Sequence, residues 1–173
     1  MSSLIESLDL VLESDIQNYC GYIENLIQQD EGKRGIKTLI QPEGELYFAA
    51  KELIAANRIA ILTGFPCMID NIPPTETDGP LGALSIARAL LKIGKEVIIL
   101  TDECNEDVVL SCCAAADLPM TDRSRLNLQS FPARSQMNDS DVRRLGSISD
   151  EIDFLVAIER SGPNSEGKYL TMR

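Results

Sequence analysis

The sequence predicts an α/β fold in which a three-layer, open and mainly parallel sheet carries helices on both faces and is preceded by N-terminal helices. Three short runs of β-branched and aliphatic residues predict buried strands, namely "RIAILTG" at 58–64, "KEVIILTDE" at 95–103 and "IDFLVAIE" at 152–159. Apolar residues at helical spacing follow Gly79, so residues 58–101 predict a strand, loop, helix and strand. Parallel strands joined in this way cross over with a right hand.

The helix between the first two strands has clear signals at both ends. Pro80 suits its first position, because proline lacks the N–H group that the first helical turn leaves unpaired. Gly94 suits the position just past its end, where a left-handed residue commonly stops a helix. Prolines at positions 66, 73 and 74 predict a long loop before it.

The other segments predict further helices and one weaker strand. Residues 3–28 predict one or two amphipathic helices, with Ser14 or Asp15 as candidate N-caps. A short capped helix is expected to start near Ser140 or Asp141. Two more helices are predicted at about 45–56 and 105–116, and a strand near "RLNLQSF" at 125–131. We expect a single α/β domain over 1–173, with a helical segment at 1–30 and the sheet within 31–173.

Charge and composition exclude several classes of function. Acidic residues outnumber basic ones 27 to 16, the net charge is −11 and no basic run occurs, so we expect no nucleic-acid partner. No apolar stretch reaches the roughly 20 residues of a membrane span. The first residues, "MSSLIESLDLVLESD", are acidic where a targeting peptide would be basic. We therefore expect a soluble intracellular chain without a membrane partner.

Histidine is absent, and the five cysteines show no CxxC spacing. A zinc site of the usual cysteine and histidine type is therefore not predicted, and the cysteines are expected to be reduced thiols. Nucleophiles activated by histidine are excluded as well. Acid–base chemistry must then use carboxylates, lysine, tyrosine, cysteine or water.

Ligands of open parallel sheets bind beyond the carboxyl ends of the strands. Three stretches follow such ends, namely "TGFPCMIDN", "TDECN" and "ERSGPNSEGKY". If the strands are parallel, charged residues from all three stretches and from the long loop become neighbours. They are Asp70, Glu76, Asp78, Asp102, Glu103, Glu159, Arg160 and Lys168.

Each of these features also has a purely structural interpretation. The loop "TDGPLG" can offer backbone N–H groups to an anion, or Thr77 and Asp78 can cap the helix while Gly79 and Gly82 allow close strand–helix packing. Asp102 can cap the following helix. Glu159 and Arg160 can form a surface ion pair of little energetic weight.

Three stretches together resemble the D-glutamate cyclase family. They are "LTGFP" at 62–66, "ETDGPLGA" at 76–83 and "DFLVAIERSGPNSEGKYLTMR" at 153–173, and "GKRG" at 32–35 fits the start of the cyclase domain. The resemblance covers roughly residues 30–173. It implies conversion of D-glutamate to 5-oxo-D-proline and water, and a mitochondrial location, or a cytoplasmic one if the chain is complete as given. Family members continue beyond the position of Arg173, so a truncated, non-catalytic module that binds a small ligand or a partner is the alternative. Assembly of the chain into a homo-oligomer is a further possibility.

The implied reaction suggests roles for the residues at this edge. Arg160 would clamp the substrate α-carboxylate, with Lys168 as an accessory cation, and Glu159, Asp102 or Asp78 would transfer protons. Backbone N–H groups of Gly79 and Gly82 would face the γ-carboxyl oxygen. The remaining candidates for substrate binding are Thr63, Gly64 and Thr77. Alternatively, Mg²⁺ or Mn²⁺ would be held by Glu76, Asp78 and Asp102.

Overall fold

The computed structural model describes residues 2–33, 35, 44–67, 70–118 and 125–169, with side chains described from residue 12 onward. Its helices and strands are α1 (Ser2–Ile27), α2 (Glu45–Ala55), β1 (Arg58–Thr63), α3 (Asp78–Lys92), β2 (Glu96–Asp102), α4 (Glu106–Ala115), β3 (Leu126–Phe131), α5 (Asp139–Glu151) and β4 (Phe154–Ile158). Short 3-10 helices span Glu103–Asn105 and Arg134–Gln136. The chain divides into two compact units, Met1–Ala55 and Ala56–Arg173. No described helix is both long enough and apolar enough to cross a membrane.

The sheet lies entirely in the second unit and has the strand order β3-β2-β1-β4. Every neighbouring pair is parallel, and Ile61 of β1 lies opposite Ile99 of β2 and Val156 of β4. The prediction of an α/β fold with a parallel sheet is therefore confirmed, and the weaker strand near 125–131 is present as β3. The arrangement in three complete layers stays a prediction.

Strand side chains alternate between the two faces of the sheet, and each face meets a helix. On one face, Ala60, Leu100 and Phe131 are buried against apolar residues of α5. On the other face, Ile59 and Ile61 are fully buried, and α3 contacts β1, β2 and β4. A continuous apolar run such as "IAIL" fits this position because a strand of a parallel sheet is commonly covered on both sides.

The ends of α3 differ in how well the sequence predicts them. Its C-terminus is confirmed: Gly94 has a φ of +88°, and the N–H groups of Gly94 and Lys95 donate to the carbonyls of Leu91 and Leu90. This double hydrogen bond is the usual glycine-terminated helix end. Its N-terminus is two residues earlier than predicted, because α3 begins at Asp78 and places Pro80 third. Proline is tolerated there because N–H groups of the first turn have no partner within the helix.

The predicted capped helix near Ser140 is present as α5, whereas the candidate N-caps of α1 are wrong. Helix α5 begins at Asp139 and is capped by Asn138, whose side chain accepts from the N–H groups of Ser140 and Asp141 while the Asp141 carboxylate accepts from the N–H of Asn138. This reciprocal pair satisfies three backbone N–H groups around the start of the helix. Helix α1 runs without interruption through Ser14 and Asp15, which lie exposed on its surface.

The first unit pairs α1 with α2 through two carboxylates. Glu24 is buried and accepts from the N–H groups of Gly44 at 2.8 Å and Leu46 at 2.6 Å, which caps the start of α2. Glu13 accepts from Tyr47 Oη at 2.5 Å and Lys51 Nζ at 2.6 Å. The hydrogen bond from Lys51 is the main cause that lowers the pKa of Glu13.

Asp153 fixes the start of β1 beside the start of β4, and its titration should be visible in the stability of the protein. Its Oδ2 accepts from the N–H groups of Arg58 and Asn57 at 2.9 and 2.8 Å, which lowers its pKa from 3.8. Because the folded pKa is depressed, the stabilisation is present above the unfolded value and is lost as the pH falls through the folded one. We expect Asp153→Asn to lower the unfolding free energy at about pH 7, with a difference from wild type that shrinks toward about pH 3.

Urea titrations across this range check the prediction. Asp150→Asn, which changes an exposed carboxylate on α5, is the matched control and should leave the stability nearly unchanged. A deficit in Asp153→Asn that is equal at every pH would contradict the assigned role of the carboxylate.

Candidate functional site

The candidate site lies beyond the carboxyl ends of β1, β2 and β4. Thr63 ends β1 and Gly64 follows it, Asp102 ends β2, and Glu159 and Arg160 follow β4. The chain leaves β1 through α3 toward β2, while β4 lies on the other side of β1. A ligand crevice of an open parallel sheet forms where successive connections diverge in this way.

The N-terminus of α3 packs directly onto this edge through Gly79. A Cβ added at Gly79 would lie 2.8 Å from Glu159 Cβ and 2.9 Å from Thr63 Oγ1, which is closer than real Cβ contacts. One added at Gly82 would lie 3.4 Å from Ile158 Cγ2. The close packing expected for both glycines is therefore present at Gly79, whereas at Gly82 a Cβ would make a nearly ordinary van der Waals contact. Thr77 occupies the N-cap position but is exposed, and its side chain makes no capping hydrogen bond.

Three carboxylates converge at the mouth of α3, and we call Glu76, Asp78 and Glu159 the acidic cluster. One carboxylate oxygen from each lies within 4.8 Å of the other two, which is a spacing that could hold a metal ion. Cys67 Sγ donates to Glu76 Oε1 at 2.8 Å, and the Glu76 N–H donates to the carbonyl of Phe65 at 3.2 Å. The cluster contains two of the three residues expected as metal ligands, with Glu159 in place of Asp102.

Asp102 is instead held by Arg160. Both guanidinium Nη atoms donate to the Asp102 carboxylate, with Nη2 at 3.0 Å from Oδ1, and Nη1 also donates to the carbonyl of Gly64 at 2.9 Å. The two side chains are only 23–24% exposed. The hydrogen bond to Asp102 raises the pKa of Arg160, although burial opposes it. Asp102 makes no capping hydrogen bond, and the ion pair of Arg160 is with Asp102 and not with Glu159.

Two fully buried polar atoms near this edge have no hydrogen-bond partner among the described residues, namely Thr63 Oγ1 and Asn105 Nδ2. Asn105 Oδ1 does interact with Thr75 Oγ1, and Thr101 Oγ1 donates to the carbonyl of Thr63 at 2.9 Å. Gly64, with a φ of +100°, passes so close that an added Cβ would lie 2.5 Å from Asn105 Nδ2. Orphaned buried groups are rare and commonly mark a functional region or an unseen water.

Sequence reasoning placed the stretches that contain Cys67, Thr101 and Asn105 at this edge but gave these residues no role, and it missed Thr75. One feature of the sequence could have indicated Asn105 as a site residue, because it follows a strand end at the edge where ligands bind. Two other predicted site residues are exposed and are not members of the acidic cluster. Lys168 is exposed and pairs with Glu166 at 2.7 Å, and Asp70 lies in an exposed turn.

The Asp102–Arg160 pair should stabilise the protein measurably. Asp102→Asn removes the charge that compensates a largely buried guanidinium, so we expect a loss of about 1–3 kcal/mol in the free energy of unfolding. Glu166→Gln, which weakens an exposed ion pair of Lys168, is the matched control and should cost below about 0.5 kcal/mol. Urea unfolding at neutral pH measures both values. Equal values for the two variants would show that the bidentate pair contributes no more than a surface contact.

Comparison with known proteins gives the same family as the motifs at this edge. Residues 23–173 match the family model described as "D-glutamate cyclase-like, C-terminal". The human protein "D-glutamate cyclase, mitochondrial" is 32% identical over 160 residues, which cover 87% of this chain and 25% of the human protein. The chain thus spans about a quarter of the length of that relative. The chain belongs to the D-glutamate cyclase-like, C-terminal family.

Proposed function

We propose that this protein is a D-glutamate cyclase-like lyase that converts D-glutamate to 5-oxo-D-proline and water. The observation that carries the proposal is the convergence of Glu76, Asp78 and Glu159 beside Gly79 at the sheet edge where ligands bind. Membership of the D-glutamate cyclase-like family supports this choice of substrate and reaction. A mitochondrial location is part of the same proposal, because the human relative is named as mitochondrial.

The reaction defines what the site must do. A bond forms between the substrate amine nitrogen and the γ-carboxyl carbon, and a bond from that carbon to one oxygen breaks. The ammonium group loses two protons, and the departing oxygen gains two protons and leaves as water. No proton is consumed overall, so a group that takes a proton from nitrogen and gives it to oxygen satisfies the balance. Holding the substrate folded supplies much of the remaining rate enhancement.

The acidic cluster is suited to this transfer. Glu159 and Asp78 are the proposed proton carriers, because both are exposed at the mouth of α3. Three carboxylates this close repel one another unless a proton or a cation lies between them. Carboxylate oxygens are ligands that Mg²⁺ and Mn²⁺ prefer, and such an ion would polarise the γ-carboxyl group.

The first turn of α3 provides the second part of the proposed site. The N–H groups of Asp78, Gly79 and Leu81 belong to this turn, and the first N–H groups of a helix have no partner within it. They are proposed to stabilise the oxygen of the γ-carboxyl group as its carbon becomes tetrahedral. The predicted role of Thr63 in substrate binding stays a prediction, because its Oγ1, next to Gly79, is fully buried.

Arg160 is proposed to receive the α-carboxylate of the substrate. Its bidentate geometry toward Asp102 is the geometry in which arginine binds carboxylates generally. The substrate carboxylate would replace Asp102, and the freed Asp102 carboxylate could then accept a proton from the amine. The accessory role of Lys168 stays a prediction.

The decisive experiment is an assay for the product. Purified protein is incubated with D-glutamate, with and without Mg²⁺ or Mn²⁺, and 5-oxoproline is followed by chiral chromatography. We expect activity in the wild type, and a loss of at least about a hundredfold in Glu159→Gln and in Asp78→Asn, because each removes a proposed proton carrier. Glu166→Gln is the matched control and should keep full activity.

The alternative functions give distinct results in the same assay. A wild-type protein that stays inactive under every metal condition overturns the lyase proposal. Binding of D-glutamate in calorimetry without turnover would then support a non-catalytic ligand-binding module. Activity that is unchanged in both carboxylate variants would contradict the assigned residues but not the reaction.

Metal dependence distinguishes the two proposed uses of the acidic cluster. If the cluster holds a cation, we expect EDTA to abolish activity and Mn²⁺ to restore it. Direct titration with Mn²⁺, followed by electron paramagnetic resonance, should show affinity at least about tenfold weaker in Glu76→Gln. Glu103→Gln, which changes an exposed carboxylate at the same edge, should bind Mn²⁺ like the wild type. Equal Mn²⁺ affinity in Glu76→Gln would assign the cluster to proton transfer alone.

A further inference from the structure

Helix α1 carries an exposed apolar face on the side chains described from residue 12 onward. Seven large apolar residues are each 44–71% exposed, namely Leu12, Ile16, Tyr19, Tyr22, Ile23, Leu26 and Ile27. At 3.6 residues per turn they lie within an arc of about 140° on one side of the helix. We call these residues the apolar face of α1. Five of them, at positions 12, 16, 19, 23 and 26, alternate spacings of four and three, which is the pattern of a coiled-coil seam.

This face is separate from the surface that α1 uses to contact α2. Glu13 and Glu24 make the contacts with α2, and they lie about 110° and 130° around the helix from the centre of the apolar face. Helix α2 also exposes Phe48 and Ile54 at 54% and 60%. Among the residues of Met1–Ala55 whose side chains the structure describes, only Glu24 and Tyr47 are buried. The helix pair therefore has almost no apolar core of its own.

We propose that the apolar face of α1 is a self-association surface covered by α1 of a second copy of this chain. Two helix pairs joined in this way would form a four-helix bundle, which is the usual way in which amphipathic helix pairs bury their apolar faces. This proposal is independent of the proposed reaction.

Charge favours a second copy over other occupants. Between Leu12 and Ile27 the charged residues are Glu13, Asp15 and Glu24, and two of these are already engaged by α2. Two copies can therefore approach with little repulsion between like charges. A membrane surface favours helices rich in lysine and arginine, and α1 contains neither.

The available area is also of the right size. Seven side chains that are about half exposed offer roughly 600 Å² of surface per copy, before neighbouring atoms are counted. Stable specific interfaces bury about 800 Å² per partner. Two α1 helices in contact along residues 12–27 would therefore approach the size of a stable interface.

Sedimentation velocity of the full chain from about 1 to 100 μM tests the proposal. We expect a reversible dimer whose dissociation constant rises by at least about a hundredfold in the double variant Ile16→Glu, Ile23→Glu, because charges would be buried at the seam. The matched control, Ser14→Glu with Asn18→Glu, adds the same charges at exposed positions outside the apolar face of α1 and should dimerise like the wild type.

A variant with smaller changes distinguishes a weakened dimer from a protein that has failed to fold. Ile16→Ala with Ile23→Ala keeps helix propensity and should weaken the dimer by about tenfold, with an unchanged far-ultraviolet circular dichroism spectrum at concentrations where it is dimeric. A wild type that is monomeric over the whole range overturns the proposal. A dimer that persists equally in the glutamate and alanine variants overturns it too, since its interface would then lie elsewhere.

Discussion

Strand β1 is hydrogen-bonded in parallel to β2 on one side and to β4 on the other, and the candidate site depends on this double pairing. All three strands end at the same edge, so Gly64 and Arg160, which are 96 positions apart, come within hydrogen-bonding distance. If β4 ran antiparallel, Glu159 and Arg160 would lie at the opposite edge of the sheet. The site therefore exists only as a consequence of the sheet topology.

The backbone turn after β4 directs two adjacent residues, Glu159 and Arg160, to different parts of the site. Glu159 has a φ of +45°, a left-handed conformation that costs a non-glycine residue roughly 1 kcal/mol. With this turn, Glu159 lies against Gly79 and joins the acidic cluster, while Arg160 reaches Asp102 across the end of β1. The absence of a side chain at Gly79 permits the approach of α3 that completes the cluster. The left-handed conformation of Glu159 and the missing side chain at Gly79 together allow β4 and α3 to pack closely at this edge.

Much of this arrangement could be predicted from the sequence, because it follows from strong local patterns. Apolar β-branched runs predicted the strands, and Gly94 predicted the end of α3. The hydrogen-bond and ion-pair partners of the charged side chains at the site could not be predicted. Whether Asp102 joins the cluster or pairs with Arg160 is decided by the backbone turn at Glu159, and no periodicity encodes that turn. Asn138 was missed as the cap of α5 for a similar reason, since several capping residues compete within "NDSD".

Charge balance at the site bears on how the substrate would bind in the proposed reaction. Asp102 neutralises Arg160, so the acidic cluster is left with three carboxylates facing a substrate that itself carries two. The substrate also carries an ammonium group, and this group would be attracted to the cluster, of which Asp78 and Glu159 are exposed to water. The helix dipole of α3 contributes only about half a charge, which is too little to balance the cluster. A proton or a divalent cation at the cluster would add to this positive charge. In the proposed reaction Arg160 would exchange Asp102 for the substrate α-carboxylate, and the freed Asp102 carboxylate would then meet the amine that it would deprotonate.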